Sequence, residues 1–410
     1  MNVSPDFSPS IKLMKPYFLL SGFFYMLSIL WLFFLNPQTD NLDFSVVAWV
    51  HLYMLGFVMM SIFTAMAQLG PVVVETKHAN ENIFRYVWVL LTFGLGFMII
   101  GFSFQIDFLL LGGVLVLIAM SIYATQFLLT LRNMKRKTSI TNAMKMSNFF
   151  LLFGITNGLI MAFGFNGLIE INPHDLLNIH TYSLVVGFVI LLIMGISIIL
   201  VPMFGYSKRI SDNNFSKSFF TLSLGVITMS LSPLMFTQIL QNIAYTLSII
   251  AILLYFYQLK NMFTSRKKVI HDIWARSMYV GFISFLVAFV LFCFYLISPD
   301  EIVLKTAMWI LLIGFFGFLI IGNFYKIVPF LVWFQVYSPL IEEQAVPMLH
   351  ELTPQREVNL QWFYSSLGLL LSSFGLILQD NQLFFGGVTL LSVGALIFFI
   401  TIAKILKVKI

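Results

Sequence analysis

Imidazole is the side chain in this sequence best suited to hold a metal ion or move a proton, and there are six histidines. His78, His271 and His350 stand beside charged residues in polar linkers, and His174 lies in the polar run NPHD, so all four read as solvated surface residues. His51 and His180 differ. His51 is flanked by Val, Trp, Leu, Tyr and Met, where a polar ring must hydrogen-bond a neighbour or coordinate something, and His180 opens an apolar run after Asn178. Both are candidate ligands for haem iron or copper, with a structural hydrogen bond as the alternative. Met54, Met59 and Met60 add soft thioethers nearby, although methionine in such a helix more often fills packing gaps. The single cysteine, Cys293, excludes disulfides, thiolate zinc sites and iron–sulfur clusters within one chain. Three polar residues interrupt otherwise apolar runs: Gln68, Asn323 and Lys326. The ammonium of Lys326 either reaches back to the membrane surface on its long stem or handles an anion or proton.

These residues sit in a chain of 410 residues that is 60% hydrophobic and only 10% charged, with a mean hydropathy of +0.95. Soluble chains carry about 25% charged residues, so the expectation is an all-α polytopic protein whose partner is the lipid bilayer. Apolar runs bounded by charges and turn residues predict twelve spans, at 17–36, 44–74, 86–103, 108–131, 147–166, 179–204, 218–236, 242–259, 276–297, 306–334, 359–378 and 384–404. The first continues apolar through Trp31 and Phe34 with no small-residue cleavage site, which favours a span over a signal peptide. With these spans, 21 of the 23 lysines and arginines fall on one side, leaving only Lys305 and Lys326 elsewhere. Basic residues near span ends stay cytoplasmic, so both termini are expected in the cytoplasm, with short acidic loops outside. A net charge of +6 spread over loops does not suit nucleic-acid binding.

The second, sixth and tenth spans are longer than the others and share a pattern relative to a late proline, Pro71, Pro202 or Pro329. Fifteen residues before it stand Gly56-Phe57, Gly187-Phe188 and Gly314-Phe315, and seven before it stand Thr64, Gly195 and Gly322. Small residues let helices pack closely in membranes, but the common register also predicts an internal repeat of about four spans. The expected organisation is one transmembrane domain, 1–410, with pseudo-repeats at approximately 14–146, 147–275 and 276–410.

With its histidines at the outer ends of these helices, the chain resembles subunit I of the haem-copper oxidases and its shorter NnrS-like relatives. The resemblance covers most of the chain as topology and three helices as motif. It implies three pseudo-repeated four-helix arcs with the second, sixth and tenth helices innermost, in a bacterial cytoplasmic membrane. In the oxidases the tenth span carries a His-x-His pair twenty-two and twenty residues before such a proline. Here His180 stands at the first register of its own helix and His51 at the second, which makes His51 similar to the span-two ligand of the low-spin haem.

The departures limit what the resemblance implies. The tenth span has Ala307 and Trp309 in those positions, the seventh has no histidine pair, and no His-x-x-x-Tyr follows His180. Reduction of oxygen at a haem-copper centre needs three histidines on copper and one on haem, so respiratory turnover is not expected. What remains is a non-catalytic protein holding one haem or one copper ion, in respiratory or nitric-oxide-linked physiology, with other respiratory subunits or a second copy as partners. A metal-free transporter or channel lined by Gln68, Asn323 and Lys326 is the alternative, and a structural subunit of a membrane complex is a third. The acidic segment YSPLIEEQAVPMLHELTPQREVN is the expected docking surface.

Overall fold

A lipid-embedded backbone must satisfy its own hydrogen bonds, and every regular element of this chain is accordingly helical among the described residues. The computed structural model describes residues 7, 9–134, 137–208, 211–268 and 270–407. Lys135, Arg136, Arg209 and Lys409, which entered the charge bias above, lie outside them, as does the side chain of His174. Eleven helices among the described residues are long and apolar enough to cross a membrane: α1 (Ile11–Phe34), α2 (Phe44–Val74), α3 (Glu81–Ser103), α4 (Asp107–Arg132), α5 (Ser139–Phe165), α6 (Asp175–Gly205), α8 (Thr237–Thr264), α9 (Ile273–Ile297), α10 (Glu301–Leu340), α11 (Gln355–Ile377) and α12 (Asn381–Ile405). Between α6 and α8 lies α7, Asn213–Leu231, whose first turns NNFSKSFF are too polar to join that set. Every predicted span therefore corresponds to a helix, and the seventh is the weakest. Large apolar side chains such as Phe93, Phe220 and Ile283 are exposed on the helices, as suits an integral membrane protein whose solvent is lipid.

The described chain forms two compact units. One comprises Gln68–Ile270, and the other comprises Pro9–Ala67 with His271–Ile410. Within the first, α3 pairs with α4 and α7 with α8. Within the second, α11 pairs with α12. The α11–α12 contact is backbone on backbone: a Cβ added at Gly387 would overlap the Ser372 nitrogen, and one at Gly375 would overlap the Phe384 nitrogen. Glycine is what permits that approach.

Acids that the sequence places in outer loops act as helix caps. Asp300 accepts from Ile302 N (2.7 Å) and Val303 N (3.4 Å) at the start of α10. Asp380 accepts from Gln382 N and Leu383 N at the start of α12. Asp43 caps α2 through Ser45 N, and the Ser45 hydroxyl, with the same backbone bond, holds its carboxyl below the usual carboxylate range. A short side-chain oxygen at this position satisfies an orphan helix N–H, and its charge suits the positive end of the helix dipole.

The long helices α2, α6 and α10 share a construction that their sequences did not announce. Each begins as an α-helix (Phe44–His51, Pro173–Thr181, Glu301–Trp309), passes through a π-helical segment (Leu52–Met59, Tyr182–Ile190, Ile310–Gly317), and resumes as an α-helix (Met60–Val74, Leu191–Gly205, Phe318–Val332). Relative to Pro71, Pro202 and Pro329 the three π segments end in the same register, and each contains its Gly-Phe pair. The glycine faces the preceding helix every time: Gly56 meets Phe24 of α1, Gly187 meets Phe150 of α5, and Gly314 meets Ser284 of α9. Wider i→i+5 bonding keeps the backbone satisfied while shifting the helix phase, and such segments concentrate at functional sites.

Candidate functional site

His51 is the last residue before the π segment of α2, and His180 lies two residues before that of α6. Both rings are half-buried, and they belong to different compact units. His51 Nδ1 lies 2.8 Å from Val47 O, one turn back in its own helix. His180 Nδ1 lies 2.8 Å from Gly154 O, on the neighbouring α5. A carbonyl can only accept, so Nδ1 is the donor in each ring, and the neutral imidazole then carries its lone pair on Nε2. That arrangement is the one metal-ligating histidines commonly adopt, with the second nitrogen anchored to a carbonyl. It equally satisfies a histidine that holds no metal.

Around His51 the surroundings are aromatic. Trp49 donates from Nε1 to Ser28 O at 2.9 Å and stacks on Trp309 of α10, with ring centroids 6.0 Å apart. Trp309 in turn donates to Ser372 Oγ at 3.1 Å, and Tyr53 donates to Leu312 O at 2.7 Å, tying α2 directly to the π segment of α10. Ala307 and Trp309, which stand in the register of the oxidase's paired ligands, are both buried. The oxidase's haem, gripped by histidines from α2 and α10, does not fit between these two helices, because stacked indoles and the Tyr53 bond occupy their contact. Ligation by His51 alone remains compatible with the donor geometry. Met54, three residues on, is half-buried like His51, whereas Met59 and Met60 are packed inside. Among the described residues no three of His, Cys, Asp and Glu gather into a metal-binding group.

The other polar residues singled out in the spans form interhelical contacts. Lys326 Nζ sits 2.5 Å from Asp272 Oδ2, each side chain 33% exposed. Asn323 accepts from Trp274 Nε1 at 3.2 Å and donates to Leu319 O at 2.8 Å. Gln68 is buried. The partner of Lys326 is thus a loop carboxylate four residues N-terminal to Arg276, a pairing that separation along the chain conceals. Asp272 has a second task, accepting from Ala275 N at 2.9 Å as the cap of α9. Asp272→Ala is therefore expected to lower stability by about 1–2 kcal/mol, the typical worth of a cap, and more than Lys326→Met, which loses only a partly exposed ion pair worth about 0–1 kcal/mol. Thermal unfolding in detergent measures both, and an equal loss in the two variants would contradict the double role.

Sequence reasoning missed His78. Its ring is 8% exposed, edge-on to Phe84 and 3.4 Å from Thr130 Oγ1 through Nδ1. A linker residue that follows Lys77 gave no sign of burial, since the covering groups come from α3 and α4. Cys293 is half-exposed. The segment expected to dock partners is pinned by Trp333 Nε1 donating to Pro347 O at 2.9 Å, and it exposes Ile341, Met348 and Leu349.

No protein-family model matches this chain, and neither does any curated protein.

Proposed function

We propose that this is a non-catalytic haem- or copper-binding integral membrane protein akin to haem-copper oxidase subunit I, with His51 and His180 as ligands through Nε2. The observation that carries the reading is the common state of the two imidazoles. Each stands at the mouth of a π segment, and each gives its Nδ1 proton to a main-chain carbonyl. In this reading the second, sixth and tenth helices are innermost in three four-helix arcs, the termini face the cytoplasm of a bacterial inner membrane, and the physiology is respiratory or nitric-oxide-linked. Other respiratory subunits or a second copy of the chain are the partners. A bound haem or copper would supply electron-transfer or gas-binding chemistry. The protein supplies the oriented nitrogen and the aromatic surroundings of α2.

The transporter reading draws less support, because Lys326 and Asn323 are engaged with Asp272 and Trp274 in contacts between helices. Absorption spectroscopy and metal analysis of protein purified from haem- and copper-replete cells decide between them. The expected result is a bound haem or copper in near-stoichiometric amount, with no sustained reduction of oxygen or nitric oxide by an added electron donor. Protein free of both metals would sink the ligand reading, and cyanide-sensitive turnover would sink the non-catalytic one.

A further inference from the structure

The two histidines are anchored by different means, and the difference assigns a role to a residue of α5. His51 uses the carbonyl one turn back in its own helix, which any α-helix offers. His180 instead reaches across to the Gly154 carbonyl of α5. A carbonyl inside an α-helix is ordinarily shielded, since the side chain four residues later leans back over it. Four residues after Gly154 is Gly158, and a Cβ built there would lie 2.6 Å from His180 Cε1 and 2.7 Å from its Nδ1. The ring occupies the place where a side chain at position 158 would stand.

We propose that Gly158 is a positioning residue for His180: by leaving the Gly154 carbonyl uncovered, it lets α5 fix the imidazole as the Nδ1–H tautomer with Nε2 as the ligand nitrogen. This rests on the ligand reading of His180 only for its purpose. The seat itself stands on geometry. A methyl at position 158 meets ring atoms of His180, whose backbone is fixed in the helix leading into the π segment, so the ring must turn away and exchange the carbonyl for another partner. Metal binding through His180 would be lost with it, because a ligand ring displaced by about an ångström no longer meets the coordination geometry.

The test compares wild type, Gly158→Ala, His180→Ala and the double variant in detergent, using histidine 15N chemical shifts as the main readout. The wild-type signal that disappears in His180→Ala is expected to report a neutral Nδ1–H ring, and Gly158→Ala is expected to shift it or replace it with the other tautomer. Thermal unfolding supplies the control for general damage: Gly158→Ala should lower the midpoint in the wild-type background and do so far less in His180→Ala, where the ring is gone. A His180 ring protonated on Nε2 in wild type, an unchanged signal in Gly158→Ala, or an equal midpoint loss in both backgrounds would overturn the proposal. If the tautomer behaves as stated while the protein carries neither haem nor copper, the seat is established and the ligand reading alone fails.

Discussion

Gly387→Ala is expected to destabilise the protein by about 3 kcal/mol while the neighbouring Gly386→Ala is neutral or slightly stabilising. The added methyl at 387 would overlap the backbone nitrogen of Ser372, and it also meets Gly368 O at 2.7 Å, so no side-chain rotamer can relieve it. The α11–α12 pair must separate along its length, and overpacking of this kind costs about 1–3 kcal/mol or more. At 386 a Cβ finds nothing within 4 Å. There the change only removes glycine's backbone entropy from a helix interior, worth about 0.5–1 kcal/mol in favour of alanine. Thermal unfolding or resistance to proteolysis in detergent distinguishes the two, and similar midpoints would show that the helices are not in backbone contact.

His51→Ala carries the largest expected effect on function. If His51 supplies the ligand, the variant inserts and folds but loses the Soret band, or the bound copper, almost completely. His350→Ala, at an exposed position, leaves both unchanged. Folding is expected to survive because one bond the ring makes, Nδ1 to Val47 O, lies within α2 itself, and the half-buried position leaves little cavity behind. A variant that keeps its spectrum would place the cofactor elsewhere, and one that fails to insert would mark the imidazole as structural.

Much of the fold was legible because membrane helices announce themselves by continuous apolar length. The twelve predicted runs each coincide with a helix, and the doubtful one, α7, is the one whose opening turns carry Asn213, Asn214, Ser216 and Lys217. The Gly-Phe register foretold a common design for α2, α6 and α10, yet the π segments were not foreseeable: an apolar run such as LYMLGFVM has no feature that distinguishes i→i+5 from i→i+4 bonding. The anchors of the candidate site were hidden for another reason. Gly154 lies 26 residues from His180 and Asp272 lies 54 from Lys326, and a periodicity argument assigns faces to one helix at a time. Trp309 could be read as a missing ligand, but not as an indole stacked on Trp49.

A helix that keeps one phase from end to end offers its neighbours a single stripe. In α2, α6 and α10 the most apolar stretches are 67%, 67% and 72% buried, against 22–50% for the other eight helices long and apolar enough to cross a membrane. Much of that burial lies in the π segments themselves, where seven of the eight residues of Leu52–Met59 and seven of the eight of Ile310–Gly317 are covered. Removing a single residue from Leu52–Met59 would let the ladder return to α-helical i→i+4 bonding, so the surplus residue that the wider turns absorb is lost and the change falls on the packing of the segment itself. These three helices should therefore tolerate few substitutions within the segment, where a changed side chain meets packed neighbours on every side.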